Sequence, residues 1–143
     1  MAPFLDTNIF VRHLANDDPQ RSPACLALIQ AIEQGRIEAW TSDMVIAEIV
    51  YVLSSKRSYN LDRETIRDLL LPIINLPGIK LPSKRLYQRV FELYVSLPID
   101  YVDAYHAALM DSRKRNDLYS YDLDFDRVPG LTRLEPTVPI AGR

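Results

Sequence analysis

Four acidic side chains stand where a carboxylate can do chemistry. Asp6 ends the short apolar run Pro3-Phe4-Leu5, and Asp122 follows the apolar-rich residues 118–121, so each is expected at the carboxyl end of a strand. Glu48 is the one charge in residues 44–53. Its neighbours one helical turn away are Met44, Val45, Tyr51 and Val52, which predicts a carboxylate with few solvated directions. Such burial is costly unless the charge meets a cation or a polar cleft. Asp103 follows Asp100 by three positions in the first turn of a predicted helix. Each acid also has an ordinary explanation: a helix cap for Asp6, an arginine partner or water for Glu48, a cap and a dipole-favoured acid for Asp100 and Asp103, a turn for Asp122. As a set they would repel strongly in one cleft unless a divalent cation filled the space. Ligation by oxygen alone suits magnesium or manganese.

The elements that must carry these acids can be read from periodicity. Residues 3–5 read as a strand, and Ile9, Phe10, Val11 and Leu14 as a short helix stopping near Asp17-Asp18-Pro19. Ser22-Pro23 reads as the cap and first-turn pair of a second helix that Gly35 closes. Residues 37–40 are a candidate strand, and Thr41-Ser42-Asp43 cap the helix of Glu48, which is expected to be buried on most sides. Ile66, Leu69, Leu70, Ile73 and Ile74 fit an amphipathic helix that Pro72 should kink or divide. Pro77-Gly78 marks a turn before a strand at 79–81. Leu86, Tyr87, Val90, Phe91, Tyr94 and Val95 form a helical stripe ended by Pro98. Asp100 opens the next helix, for which Arg113-Lys114-Arg115 would be a cationic last turn. Residues 118–121 and 131–134 are the last strands, divided by a polar turn region. Short strands alternating with helices imply an α/β domain over residues 1–135, with a small, mostly parallel sheet covered by helices on both faces and a loose tail at 136–143.

Composition narrows the possibilities. The chain has 143 residues, 48% hydrophobic and 25% charged, and four glycines, which describes one ordinary globular domain. With one cysteine, Cys25, no intramolecular disulfide or thiolate metal cluster is available. Asp6 interrupts the opening residues too early for a signal peptide, and no apolar run approaches a membrane span, so a cytoplasmic location without membrane contact is expected. Gly35, Gly78, Gly130 and Gly142 form neither a dinucleotide fingerprint nor a phosphate-binding loop. Asp122-x-Asp124-x-Asp126 lacks the glycine and glutamate of a calcium loop, because Arg127 and Arg133 stand there. His13 and His106 are expected to be structural, His106 at the rim of any site at Asp103.

The segments around the four acids resemble the PIN-domain ribonucleases, in particular VapC-like toxins of prokaryotic toxin–antitoxin pairs. Phe4-Leu5-Asp6-Thr7-Asn8 is similar to the opening motif, and Glu48 within Met44-Val45-Ile46-Ala47-Glu48-Ile49 to the helical glutamate. Asp103 within Val102-Asp103-Ala104 matches the third acid, and Ser120-Tyr121-Asp122-Leu123-Asp124-Phe125 resembles the final motif, with Ser120 where threonine is frequent. Asp122 and Asp124 both remain open as the fourth acid, with Asp122 favoured. The resemblance covers nearly the whole chain. It implies a PIN-like fold with about four to five short strands, often homodimeric, and a magnesium-dependent endoribonuclease in which Asp6, Glu48, Asp103 and Asp122 hold the metal. Thr7, Asn8, Asp100, Ser120 and Asp124 are the supporting candidates.

Net charge is −2, and because the four acids contribute −4 the remainder of the chain carries +2. Arg113, Lys114 and Arg115, with Lys84, Arg85 and Arg89, are the candidate phosphate contacts for an RNA substrate. The resemblance further implies a cognate antitoxin whose basic segment covers the acidic cleft. The rival readings are a noncatalytic PIN-like RNA-binding or regulatory module, and a phosphatase of the haloacid-dehalogenase kind. The latter would need an aspartate where Asn8 stands.

Overall fold

The computed structural model describes residues 1–140 of the chain, so the last three residues of the expected tail lie outside the described residues. The described fold divides into two compact units, residues 1–85 and residues 86 onward. In the first unit the order is α1 (Thr7–Ala15), α2 (Ser22–Glu33), β1 (Ala39–Trp40), α3 (Asp43–Ser54), α4 (Arg63–Ile74) and β2 (Ile79–Lys80). The second contains α5 (Tyr87–Ser96), α6 (Tyr101–Ser112), β3 (Asp117–Tyr119) and β4 (Thr132–Leu134), with a 3₁₀ turn at Leu123–Arg127 between the last two strands.

The parallel character expected from the sequence is present, in very short strands. β1 pairs in parallel with β2, and Phe4 forms a parallel bridge with Trp40 on the other edge of β1. Alternate amides of β1 serve opposite neighbours: Ala39 N–H donates to Gly78 C=O, and Trp40 N–H to Pro3 C=O. Leu5 N–H completes the second side by donating to Trp40 C=O. In the second unit β3 and β4 pair in parallel over three residues. Among the described residues the ladders thus form two separate parallel pairs, where the sequence predicts one sheet. Strands of two or three residues offer few donors and acceptors for a continuous ladder.

Helix α3 departs from expectation in an instructive way. Val45, Ile46, Ile49, Val50 and Leu53 are buried on one side, but Met44 and Tyr51 are 83% and 73% exposed and Glu48 is exposed between them. The stretch is uncharged nearly throughout, yet at 100° per residue positions 44, 48 and 51 fall on one stripe opposite the buried face. Ser42 caps this helix as expected, its side chain accepting from Val45 N–H at 3.3 Å. Ser22 does not cap α2: it is the first helical residue and its hydroxyl donates to Arg12 C=O at 2.8 Å. Asp18 satisfies the preceding turn instead, accepting from Gln20 N–H and Arg21 N–H, both at 3.0 Å.

Two further expectations change. Helix α4 continues through Pro72, capped by Asp62, whose carboxylate accepts from Thr65 N–H at 2.7 Å. The ring removes one internal donor only, and burial of Ile66, Leu70, Ile73 and Ile74 holds the turn around it. Helix α6 ends at Ser112, so the basic triplet follows the last turn: Arg113 is its C-cap, and Lys114 takes a left-handed conformation at φ 53°.

Gly78 is fixed by proximity. A Cβ there would lie 2.8 Å from Ile32 Cγ2 and 3.0 Å from the Ile32 carbonyl oxygen. Gly78→Ala gains about 0.4–1 kcal/mol from a stiffer unfolded chain but loses about 1–3 kcal/mol to overpacking. A lower urea midpoint with an unchanged slope is therefore expected for this variant, and a midpoint at or above that of the parent would contradict the close approach.

Candidate metal centre

The acids predicted from the sequence fall into two groups, one in each unit. In the first unit, Asp6 is placed by the pairing of its neighbour. Leu5 donates its N–H to Trp40 C=O, and its own C=O accepts from the hydroxyl of the buried Thr41 at 3.0 Å. Thr41 in turn donates its N–H to Lys80 C=O, so one threonine ties the Asp6 segment to β2. Asp6 occupies the N-cap position of α1, but its side chain makes no capping hydrogen bond and is exposed. The ordinary explanation of this acid is therefore absent. Thr7, buried in the first turn, donates its hydroxyl to Glu48 Oε2 at 2.9 Å, which joins the opening motif to the α3 glutamate. The expected burial of Glu48 is not observed. Its carboxylate faces solvent and is oriented by Thr7 from below.

In the second unit, α6 and the 3₁₀ turn concentrate the remaining acids. Asp100 sits at the N-cap of α6 without a side-chain cap bond. Carboxylate oxygens of Asp100, Asp103 and Asp124 lie within 4.8 Å of one another. Asp103 is half-buried and its Oδ2 atom is enclosed without a hydrogen-bond partner. Burial first, then the charge and close approach of Asp122, then the charges of Asp100 and Asp124, push the Asp103 carboxyl up to about 6. The α6 N-terminus favours anions but does not offset that crowding.

The loop carrying Asp122 and Asp124 is held by its own bonds. Ser120 Oγ accepts from Asp122 N–H at 3.0 Å, and Asp122 Oδ1 accepts from Asp124 N–H at 2.9 Å. Arg133 of β4, with a side chain only 12% exposed, donates to Ser120 C=O at 2.9 Å and pairs with Asp126 and Glu135. Arg127 forms an ion pair with Asp124. Sequence reading missed Arg127 and Arg133 as partners of this loop; the Asp124–Arg127 spacing of one helical turn is the signal that was available. Asp100, expected only as a support, belongs to the acid group itself.

The basic candidates separate. Lys84 spends its ammonium on the carbonyls of Leu76 and Ile79 and is a structural tie, not a phosphate contact. Arg89 pairs with Glu92 and Asp111. Arg85 is exposed, as are Arg113, Lys114 and Arg115, which follow the last turn of α6 while Asp103 lies in its first. Cys25 is buried, as an inert core thiol would be.

The PIN domain profile matches residues 4–131, a span that includes both acid groups. The chain belongs to the PIN domain family. Among solved structures it is similar to the crystal structure of VapC20 of Mycobacterium tuberculosis, described as a sarcin-ricin loop cleaving toxin. That match has 16% identity and a TM-score of 0.37, and covers 94% of this chain and 100% of the other. No curated protein matches the sequence. Among the described residues, no helix is long and apolar enough to cross a membrane.

The second-unit donors fit a hard divalent cation: all are carboxylate oxygens, and the partnerless Asp103 Oδ2 is a lone pair in want of one. The raised Asp103 carboxyl also sets a sign for stability. Between 3.8 and about 6 the folded PIN domain holds a proton that the unfolded chain has released, so without metal its stability falls as pH rises through that window. Asp103→Asn should stabilise the metal-free protein at pH 7 and flatten that slope. Thermal melts across pH in EDTA would show it; a destabilised variant with the parent's pH profile would contradict the crowding.

Proposed function

We propose that this PIN domain is a magnesium-dependent endoribonuclease that hydrolyses RNA phosphodiester bonds, with manganese as a possible substitute ion, and that it acts as the toxin of a toxin–antitoxin pair. The observation that carries the reading is the acid group around Asp103, with its enclosed and unpartnered oxygen, in a family whose members are generally nucleases. The proposal takes residues 1–135 as one working domain, in which Asp6 and Glu48 join Asp103 and Asp122 as the metal-holding carboxylates. A bound divalent cation would neutralise charge growing on the phosphate oxygens and lower the pKa of a coordinated water.

The chain's own residues have separable tasks. Thr7 holds Glu48 in one orientation through its 2.9 Å hydrogen bond, so the glutamate does not have to be ordered when substrate arrives. Ser120 supports the backbone at Asp122. Asp122 is kept as the fourth ligand, although it is Asp124 that belongs to the group within 4.8 Å, because Arg127 already pairs with Asp124. Exposed Asn8 can donate to a phosphate oxygen or orient a water. Arg113, Lys114 and Arg115 would meet the RNA backbone at a phosphate remote from the cut. The partners that follow are an antitoxin with a basic segment that covers the acids, and a second copy of the chain. The proposed location is the cytoplasm.

Cellular RNA incubated with the purified protein in magnesium should give discrete cuts ending in 5′-phosphate and 3′-hydroxyl, and none in EDTA. Asp103→Asn, Glu48→Gln and Asp122→Asn, each purified identically, should lose at least about 100-fold in cleavage rate, whereas Asp124→Asn should retain more activity than Asp122→Asn. Equal cutting by parent and Asp103→Asn would assign the activity to a contaminant and refute the site. Co-expression with small proteins encoded nearby should relieve growth arrest through a stable complex.

A further inference from the structure

Beside the acids the second unit has an open groove of about 440 Å³, enough space for a small planar ligand. It lies between α6 and the end of β3. Asp103 and Asp122 form one part of its lining, while Leu109, Met110, Leu118 and Phe125 supply apolar surface. Two polar groups complete it. Ser120 accepts Asp122 N–H with its oxygen, which leaves the hydroxyl proton to donate, and His106 offers an imidazole. Tyr119 also lines the groove and is 55% exposed. Tyr121, 71% exposed, stands directly before Asp122.

These features discriminate among ligands. A phosphate has no cationic side chain in the groove to receive it, and two carboxylates would repel it there. A purely aliphatic segment would leave the Ser120 hydroxyl and His106 unmatched. An unpaired nucleobase is uncharged, has two apolar faces and a polar edge, and gains most from aromatic rings and an adaptable thioether. Its position is set by continuity: the acids that line the groove are those the ribonuclease reading assigns to the cation and, through it, to the phosphate.

We propose that the groove between α6 and β3 seats the nucleobase next to the scissile phosphate, with Tyr119 stacking on it and His106 and Ser120 reading its edge. The inference rests on the ribonuclease reading and deepens it: the acids would hold the cation at which water attacks whatever phosphate is presented, and the groove selects which nucleotide is presented. His106 and Tyr119 are then base-binding residues, and the favoured substrate is single-stranded or looped RNA, because a paired base would first have to be unpaired and unstacked to enter.

The test is equilibrium binding in calcium, read by fluorescence anisotropy, of labelled oligo(U), oligo(C) and oligo(A) and of an abasic oligonucleotide of equal length. The parent should prefer one base over the others and over the abasic strand. Tyr119→Ala and His106→Ala should each weaken that preferred strand roughly 10- to 100-fold, remove the preference, and leave abasic binding unchanged. Tyr119 is largely exposed, so its truncation should leave the melting temperature near that of the parent. Parent-like affinity and preference in both variants would overturn the proposal, as would a parent that binds every strand equally or none. Such a result would point to a protein segment as the groove's occupant. Failure of the underlying reading looks different: base-selective binding lost in the variants, with no cleavage of any RNA in magnesium, would keep the groove and discard the nuclease.

Discussion

Mutual repulsion of carboxylates is the constraint around which the second unit is arranged. Asp100, Asp122 and Asp124 are brought close enough to Asp103 that their charges, added to burial, push its carboxyl up. The packing of α6 explains why the acid cannot swing away. Ala104, Ala107 and Ala108 are buried, and their small side chains set the helix close against its surroundings, which leaves Asp103 half-enclosed one position before them. Relief comes from three sources of unequal strength. The α6 N-terminus contributes a partial positive charge, Arg127 neutralises Asp124, and backbone N–H groups occupy one side of the 3₁₀ turn. None of these reaches Asp103 Oδ2. A crowded carboxylate that the fold leaves unsatisfied is stored electrostatic energy, which an opposite charge would offset.

The first unit solves a different problem, which is to hold two acids in place with almost no sheet. β1 has two residues, so register depends on individual bonds. Thr41 carries part of that burden, because it is buried and linked both to Leu5 and to Lys80. The Phe4–Trp40 edge-to-face contact, with ring centroids 4.7 Å apart, covers the same edge. Asp6 thus leaves a pinned backbone with its side chain uncommitted, and Thr7 passes that order to Glu48. In each unit a hydroxyl residue sits near the acids, Thr7 beneath Glu48 and Ser120 behind Asp122, and each fixes an acid without competing for its outward lone pairs.

On the proposed reading, chemistry and selectivity are separable in this PIN domain. Oxygen ligands determine what a bound cation can do, and they carry no information about the identity of a base. The groove beside them contains the aromatic and apolar surface that acids lack. Arg133 connects the two, since the arginine that pins Ser120 C=O also sets the loop on which Asp122 stands.

The family and the helices were legible in the sequence, because each depends on short-range pattern. Asp6, Glu48, Asp103 and Asp122 lie in local motifs, and helical periodicity located α3, α5 and the start of α6 to within a residue or two. What sequence misjudged was the surroundings of those residues. Glu48 sits in a nearly uncharged stretch and so read as buried, but burial depends on which face meets a neighbour, and α3 turns Met44, Glu48 and Tyr51 outward. Ser22 looked like a cap because Ser-Pro is a local signal, and a hydroxyl contact ten residues back overrode it. Lys84 looked like a phosphate contact, and two carbonyls of the Leu76–Ile79 turn claimed its charge. The groove had no signal at all, since its lining joins residues from 103 to 125 that meet only when α6 packs beside β3. Residue type and spacing determine which groups can ionise, cap or ligate. Only tertiary packing decides which of them are desolvated, paired or left wanting a partner, because those states depend on neighbours that are distant along the chain.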